Sequence, residues 1–302
     1  MRAGEGEERR SQPISLAASV LLVVCCGIWG VNQVAIKVAN EAIPPVLQAT
    51  IRSLLASLLL IGLMLWRGQT IWRRDGTLIW GLSAATLFGL EFVALYIGLE
   101  RTTASRGVVL LYCQPIAVAV GVHFFAKGDR LSRVKALGLA AAFLGVCLAM
   151  VGRGAGAGQG SLEGDVLCFL GGLAWAGTVI LVKAGPLARE PAERVLLYQL
   201  AGSLPVLALF TFIRGERLHA WPEPMPLLAF AFTVVVVSFA SYLAYFWLLS
   251  RYQASRVTAF TFLVPVFGVA AGALLLNEPL SGTLMVALAL VAAGIFLVNR
   301  PG

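Results

Sequence analysis

The sequence is short of charge. Of its 302 residues, 23 are Lys or Arg and 15 are Asp or Glu, so charged residues make up 13% of the chain. A soluble domain usually carries about 25% charged residues. A water-soluble fold of this length would lack the polar surface that it needs. We therefore exclude a soluble enzyme, a disordered chain and a disulfide-rich secreted module.

Motifs of several common chemistries are also missing. The formal net charge is +8, but no block of five or more basic residues occurs, so we expect no nucleic-acid partner. A nucleotide-binding GxxxxGK[ST] loop is absent, and ATP is therefore not expected to drive the protein directly. The two histidines are far apart, and no cysteine pair has metal-ligand spacing. The sequence predicts no metal, no cofactor and no enzyme activity, and it leaves proton coupling open.

Long apolar runs are what the sequence does contain. Hydrophobic residues make up 59% of it, and the mean hydropathy is +0.86. A helix needs about 20 apolar residues to cross the hydrocarbon core of a bilayer. The predicted fold class is an all-α integral membrane protein with ten transmembrane helices, drawn at 16–39, 46–66, 78–99, 105–126, 134–151, 162–184, 194–213, 227–249, 255–276 and 282–298.

The distribution of Lys and Arg predicts the orientation of these helices. If the N-terminus is cytoplasmic, the inside segments hold sixteen Lys and Arg residues and the outside segments hold five. Positive charge collects in cytoplasmic loops. We expect a multi-pass protein of the bacterial cytoplasmic (inner) membrane with both termini in the cytoplasm.

The second half of the sequence repeats features of the first. Ala104-Ser105-Arg106 recurs as Ala254-Ser255-Arg256, and Pro115 recurs as Pro265, both 150 residues later. A glycine-rich stretch lies between the halves, so we predict an N-terminal five-helix repeat at 1–151, a hinge at 152–161 and a C-terminal repeat at 162–302. Because five is odd, the second repeat must enter the membrane from the opposite side. Inverted repeats are typical of secondary transporters, which bind substrate near the bilayer midplane.

Two motifs extend this interpretation to a family. Leu111-Tyr112-Cys113-Gln114-Pro115-Ile116 and its counterpart Thr261-Phe262-Leu263-Val264-Pro265-Val266 each place a proline in mid-span, and Leu276-Asn277-Glu278-Pro279-Leu280 adds an acidic motif. With them the chain resembles an EamA-type member of the drug/metabolite transporter superfamily, and more narrowly the YddG-type exporters of aromatic and other amino acids. The first-half acidic motif departs from the family pattern and reads Lys127-Gly128-Asp129-Arg130. We expect this motif to cap helices at the membrane edge.

The resemblance implies a function that pattern alone does not. It implies export of amino acids, aromatic and other small zwitterionic or hydrophobic metabolites, by alternating access; the oligomeric state stays unknown. A carrier of nucleotide sugars or sugar phosphates, or a drug or cation efflux carrier of the same superfamily, is the alternative. A channel is a further class, which saturable countertransport would distinguish from a carrier.

The third span carries a polar and aromatic stripe on one helical face. Phe88, Glu91, Phe92, Leu95 and Tyr96 follow helical spacing, and the eighth span has a counterpart in Ser238, Ser241, Tyr242, Tyr245 and Phe246. Such a stripe either bonds across packed helices or lines a cavity whose aromatic wall suits an apolar side chain or a cation. Glu91 lies in mid-span, where a carboxylate is costly. It either pairs with Arg52, binds a substrate ammonium or exchanges a proton.

The first span carries a second stripe. Trp29, Asn32 and Gln33 lie on it, with Trp175 and Thr178 as repeat equivalents; the two amides either bind an α-carboxylate or amide or hold helices together. Lys37 and Lys183 are expected to anchor helix ends. Pro115 and Pro265 are either packing kinks or hinges for alternating access. The predicted substrate-binding residues are Trp29, Asn32, Gln33, Phe88, Glu91, Phe92, Tyr96, Tyr112, Trp175, Thr178, Tyr242 and Tyr245.

Overall fold

The computed structural model describes residues 14–71, 76–102, 104–126, 129–151, 161–218, 220–276 and 282–300, and in these ranges the chain is helical without strands. The first half forms α1 (Leu16–Ala39), α2 (Pro45–Trp66), α3 (Leu78–Arg101), α4 (Ala104–Leu111), α5 (Gln114–Phe125) and α6 (Arg133–Val151). The second half forms α7 (Leu162–Ala184), α8 (Ala192–Gly202), α9 (Leu204–Ile213), α10 (Pro224–Phe232), α11 (Tyr242–Arg251), α12 (Ala254–Ala259), α13 (Leu263–Leu276) and α14 (Gly282–Asn299).

These helices coincide with the ten apolar segments of the sequence. Six passages are long and apolar enough to cross a membrane, namely Leu16–Ile36, Pro45–Trp66, Leu78–Arg101, Leu162–Ala184, Ala192–Ile213 and Pro224–Arg251. Shorter apolar helices cover Val109–Phe125, Ala254–Gly268 and Met285–Asn299. The protein is therefore a multi-pass membrane protein. Leu58, Trp66 and Phe212 are among the large apolar side chains left exposed on its outer surface, as expected of helices that face lipid.

Several passages are broken, and most of the breaks lie near a proline. The fourth passage ends α4 at Leu111 and restarts at Gln114, with Pro115 in the first turn of α5. The ninth ends α12 at Ala259, continues as one 3-10 turn and restarts at Leu263, just before Pro265. Proline donates no backbone hydrogen bond and clashes with the preceding turn. The two prolines that lie 150 residues apart in sequence thus each accompany a break in a helix.

The eighth passage departs from the regular α-helix that the sequence predicts. Thr233–Ser241 is a π-helix between α10 and α11. Its first five residues are all β-branched, and such side chains crowd the preceding turn of an α-helix. The residues of the predicted face therefore lie partly in the π-helix and partly in α11. Tyr242, Tyr245 and Phe246 follow in α11, whereas Ser241 accepts a hydrogen bond from the indole of Trp29 at 2.8 Å.

Small residues allow the helices of the two halves to approach closely. Gly138 of α6 lies against the backbone of Gly294 in α14, and Gly98 of α3 lies against Cys168 of α7. Gly30 of α1 meets the backbone at Phe267 of α13. Transmembrane helices associate through such contacts, because apolar burial between helices gains little in lipid. The core therefore lies between the halves.

Polar contacts join the helix ends at each face of the bundle. At one, named the Ser15 face, the Ser15 hydroxyl contacts the Tyr252 hydroxyl at 3.2 Å, and Lys183 donates to the carbonyls of Leu249 and Tyr252. Lys183 thus caps the end of α11 and anchors a helix end, as expected. The structure does not describe the side chain of Lys37, so its predicted role as an anchor of a helix end stays a prediction.

Asp129 also lies at the Ser15 face and has the capping role expected of its motif. Its carboxylate accepts the backbone N–H of Ser255, in the first turn of α12, at 2.9 Å and the Lys135 ammonium at 3.0 Å. The Ser255 hydroxyl donates to it as well, and Lys135 reaches Gln253 at 3.1 Å. A carboxylate at a helix N-terminus is favoured by the helix dipole. The acidic motif of the second half, which includes Glu278, lies outside the described residues.

The opposite face, named the Glu216 face, has its own bonds. Glu216 accepts the backbone N–H of Leu47, at the start of α2, at 2.8 Å. It also accepts from Arg214, which bonds in turn to Glu100 at 2.7 Å. The hydrogen bond to Glu216 raises the pKa of the Arg214 guanidinium. These bonds tie the ends of α3 and α9 to the start of α2.

Candidate functional site

A cavity of about 110 Å³ lies between the two halves, near the middle of the bundle. This exceeds the ~10–15 Å³ that one water molecule needs. The lining residues come from α1, α2, α3, α4, α7, α8 and α11, together with Tyr112, which follows α4. They are Trp29, Asn32, Ile36, Arg52, Phe88, Glu91, Phe92, Leu95, Tyr96, Leu99, Leu111, Tyr112, Trp175, Gln199, Tyr242, Tyr245 and Phe246.

Aromatic rings form a continuous wall around this cavity. Trp29 lies at its centre, with ring centroids 5.2 Å from Tyr245, 5.7 Å from Tyr242 and 6.4 Å from Trp175. Most of the ring pairs meet edge to face, the arrangement that aromatic quadrupoles favour. The chain of contacts continues from Tyr242 to Phe88, Phe92 and Tyr96, and from Trp175 to Tyr112.

A hydrogen-bonded chain fixes the central ring. The Trp29 indole donates to the Ser241 hydroxyl, which donates in turn to the carbonyl of Val237 at 2.6 Å. That carbonyl belongs to the π-helix, so the irregular segment of the eighth passage positions Trp29. Cys26 lies on the same helix as Trp29, and its thiol donates to the carbonyl of Phe260, in the 3-10 turn after α12, at 3.2 Å.

An arginine and a glutamate face the cavity without a hydrogen bond between them. Arg52 of α2 is 1% exposed and Glu91 of α3 is 7% exposed. None of the three guanidinium nitrogens of Arg52 has a hydrogen-bond partner in the described ranges, and Oε2 of Glu91 also lacks one. The Arg52 Cζ atom lies 4.3 Å from the centroid of the Phe92 ring. That cation–π contact holds the guanidinium over the ring and uses none of its N–H donors.

Within the described ranges, further polar atoms of the lining have no hydrogen-bond partner. They are Oδ1 of Asn32, the hydroxyls of Tyr96 and Tyr245, and both polar atoms of the Gln199 amide. Buried polar groups are nearly always hydrogen-bonded, to protein or to ordered water. A group of unpartnered donors and acceptors around one cavity therefore indicates a place for water or a polar solute.

The sequence matches the EamA-like transporter family over residues 16–151 and 162–300. This chain belongs to that family. It is therefore a transporter of the drug/metabolite superfamily, as the motifs of the mid-span prolines predict, and the two matched stretches correspond to the two halves.

Relatives of the chain cover nearly its whole length. The uncharacterized transporter YvbV of Bacillus subtilis is 29% identical over 287 residues, which is 93% of this chain and 91% of the relative. A probable amino-acid metabolite efflux pump of Salmonella typhimurium is 29% identical over 291 residues, 92% of each chain. One crystal structure superimposes with a TM-score of 0.80 over 93% of this chain and 96% of the other, at 19% identity, and shows that the fold is shared.

In this EamA-family protein, most of the residues predicted to bind substrate lie around the one cavity. Ten of the twelve line it: Trp29, Asn32, Phe88, Glu91, Phe92, Tyr96, Tyr112, Trp175, Tyr242 and Tyr245. Gln33 belongs to α1, but its side chain lies outside the description. Thr178 lies elsewhere, with its hydroxyl donating to the carbonyls of Ala174 and Ala84 at 3.1 and 3.3 Å. Whether the ten bind substrate stays a prediction.

Two polar lining residues were not among the predicted substrate-binding residues. The sequence pattern gives Arg52 only a structural role, as an ion-pair partner of Glu91, although a cation deep in an apolar span is itself a signal of function. Gln199 is the one amide in the otherwise apolar run that ends α8, and that polar residue in mid-span was the available signal. The structure brings both to the cavity that holds Glu91.

Proposed function

We propose that this EamA-family protein is a secondary transporter that exports amino acids, aromatic and other small zwitterionic or hydrophobic metabolites, across the bacterial cytoplasmic membrane. The observation that carries the proposal is the central cavity, which combines an aromatic wall with one cation, one carboxylate and several unpartnered polar atoms. Aromatic rings suit an apolar side chain, and opposite charges suit a zwitterionic backbone.

The helix pairings support two inverted five-helix repeats, at 1–151 and 162–302. The packing of α1 against α10 and α11 has its counterpart in α7 against α3. The packing of α1 against α13 has its counterpart in α7 against α4 and α5. The packing of α6 against α14 joins corresponding helices of the two halves, and so does the packing of α2 against α8 and α9. Each of these pairings is therefore its own counterpart. A pseudo-two-fold axis in the membrane plane relates contacts in this way.

The polar contacts at the two faces support alternating access. The Ser15 face is joined across the halves by the Asp129–Ser255 and Lys135–Gln253 bonds. The cavity lining reaches Ile36 and Leu99, each about one turn from the end of its helix at the Glu216 face. We propose that this conformation is closed at the Ser15 face, which the Lys and Arg distribution assigns to the cytoplasm. Pro115 and Pro265, at the broken helices, are the proposed hinges.

The cargo and the direction rest on resemblance as well as on geometry. The printed name of the Salmonella relative, a probable amino-acid metabolite efflux pump, supports both. A carrier of nucleotide sugars or sugar phosphates would need several cations for its phosphates. Among the described residues of the lining, Arg52 is the one cation, which favours an amino acid over that alternative.

Counterflow in proteoliposomes tests the proposal. Vesicles loaded with unlabelled phenylalanine should take up labelled phenylalanine faster than empty vesicles, and the initial rate should saturate with concentration. Counterflow repeated with a pH gradient across the same vesicles tests whether transport is coupled to protons. Protein-free vesicles are the control. Non-saturable flux without counterflow would indicate a channel, and exchange of a sugar phosphate but of no amino acid would overturn the proposed cargo.

A further inference from the structure

Arg52 occupies an unusual position for a guanidinium. It lies in α2 among Ala49, Ser53 and Ala56, residues that are themselves buried, and its side chain is 1% exposed. Arginine is effectively always protonated in proteins, so its charge is permanent. A permanent charge in mid-membrane persists only when it is paired or faces a polar cavity, and such charges usually mark a substrate path.

The protein provides incomplete compensation for this charge. Arg52 and Glu91 line the same cavity, yet none of the three guanidinium nitrogens has a hydrogen-bond partner in the part of the chain that the structure describes. A merely structural ion pair would be expected to bond directly, because both desolvated groups then recover hydrogen bonds. The Arg52–Glu91 pair instead leaves its donors and an acceptor facing the same cavity.

The position of Phe92 adds a second observation. Its ring, with the Arg52 Cζ atom 4.3 Å from the ring centroid, restrains the guanidinium while leaving the N–H groups available. A guanidinium held this way presents the donor fork that binds a carboxylate in bidentate fashion. Gln199 and the Tyr96 hydroxyl also have no hydrogen-bond partner among the described residues. They line the same cavity and can complete the hydrogen bonds of a polar ligand.

We propose that Arg52 binds the α-carboxylate of the substrate and that Glu91 binds its α-ammonium, so that the protein selects solutes bearing both groups. The inference rests on the proposed function and assigns specificity to Arg52, in place of the role in carboxylate binding that the sequence suggests for Asn32 and Gln33. The aromatic wall then faces the side chain. It tolerates many side chains, whereas the two charges discriminate against amines and acids that carry only one group.

The test compares three ligands that share one aromatic group. Phenylalanine has both charges, phenethylamine lacks the carboxylate and 3-phenylpropionate lacks the ammonium. Binding to the purified full-length protein is followed by tryptophan fluorescence, since Trp29 and Trp175 both line the cavity. In the wild type, phenylalanine should bind about tenfold or more tightly than either analogue, as expected for loss of a charged hydrogen-bonding group.

Three variants should reduce this preference for phenylalanine. Arg52→Gln should lower the affinity for phenylalanine to that for phenethylamine. The affinity for phenethylamine should stay within about twofold of the wild-type value. Arg52→Lys keeps the charge but loses the fork of N–H donors. Its affinity for phenylalanine should lie between those of the wild type and Arg52→Gln. Glu91→Gln should leave 3-phenylpropionate unchanged and weaken phenylalanine. Arg194→Gln is the matched control, because Arg194 is a buried arginine outside the cavity lining that bonds to Glu190 and the Thr70 carbonyl.

The outcomes separate the assignment from the transport proposal. Binding of phenylalanine that depends on Arg52, but without counterflow, would overturn transport of amino acids and leave the assignment standing. Phenylalanine affinity or counterflow that is unchanged in a folded Arg52→Gln protein would overturn the assignment alone. Equal weakening of phenylalanine and phenethylamine would reduce Arg52 to a structural partner of Glu91. Absence of binding for all three ligands in the wild type would overturn both.

Discussion

Two pairs of buried opposite charges are built differently in this molecule. At the Ser15 face, Asp129 and Lys135 bond to each other, and each has a further partner at the start of α12. In the central cavity, Arg52 and Glu91 face the same space without bonding to each other. The first pair is satisfied by the protein, and the second is left for water or a solute.

The difference follows from where the groups sit along the chain. Asp129 precedes α6 and lies beside the start of α12, where the first backbone N–H groups have no partner within their helix and can donate to an anion. Arg52 and Glu91 lie inside helices whose backbone groups are already hydrogen-bonded to each other. The neighbouring main chain therefore has no free hydrogen-bonding group for these side chains. A buried charge near a helix end can therefore stabilise the fold, whereas one in mid-helix needs a partner from elsewhere.

Breaking the satisfied pair should have the largest effect on stability. Asp129→Ala leaves the Lys135 ammonium buried without its carboxylate and the start of α12 without its cap. Removal of one partner of a buried pair costs about 3–5 kcal/mol. We expect a clear drop in the thermal unfolding midpoint of the detergent-solubilised protein, measured by the monodisperse fraction remaining after heating.

The double variant Asp129→Ala/Lys135→Met is the control for that result. It removes the uncompensated ammonium and should recover part of the loss, because the remaining cost is the cap and its hydrogen bonds. An Asp129→Ala protein that unfolds at the wild-type midpoint would contradict the view that this pair holds the two halves together at the Ser15 face.

Neutralising the unsatisfied pair should affect transport more than stability. Glu91→Gln keeps the shape of the side chain and removes no hydrogen bond to Arg52. We expect membrane insertion to be retained, a stability change of about 1 kcal/mol or less, and a roughly tenfold slower counterflow because the substrate ammonium loses its counter-charge. The measurement is counterflow at several pH values alongside the unfolding midpoint. A rate and pH profile equal to the wild type would remove Glu91 from the mechanism.

Local hydrophobicity was enough to predict the helices and most of the cavity lining. The third span was expected at 78–99 and the structure has Leu78–Arg101. Its polar face could be recognised because Glu91 and Tyr96 are conspicuous among apolar neighbours and recur at helical spacing. Both features depend on residues within a few turns of each other, which is the range over which a sequence pattern is informative.

Backbone irregularities and long-range neighbours were not predictable in the same way. The π-helix at Thr233–Ser241 carries no proline, and its Val237 carbonyl is engaged through Ser241 by Trp29 from a helix more than 200 residues away in sequence. Gln199 meets the cavity because α8 packs against α3 and α11. These placements are set by tertiary packing, and a single sequence does not encode them locally.

Thr178 has the helical spacing predicted for a lining residue but lies outside the cavity lining. Its substitution should have the smallest effect on transport. It lies three residues after Trp175, on the face that the repeat predicts, yet its hydroxyl bonds to carbonyls of α7 and α3 and lies outside the cavity lining. Thr178→Val keeps the shape and loses a shared hydrogen bond worth about 0.5–1.5 kcal/mol. Counterflow of phenylalanine should stay within about twofold of the wild type, whereas Asn32→Ala, a change in the lining itself, should reduce it several-fold. A folded Thr178→Val protein with tenfold slower counterflow would mean that the working cavity extends further along α7 than the lining described above.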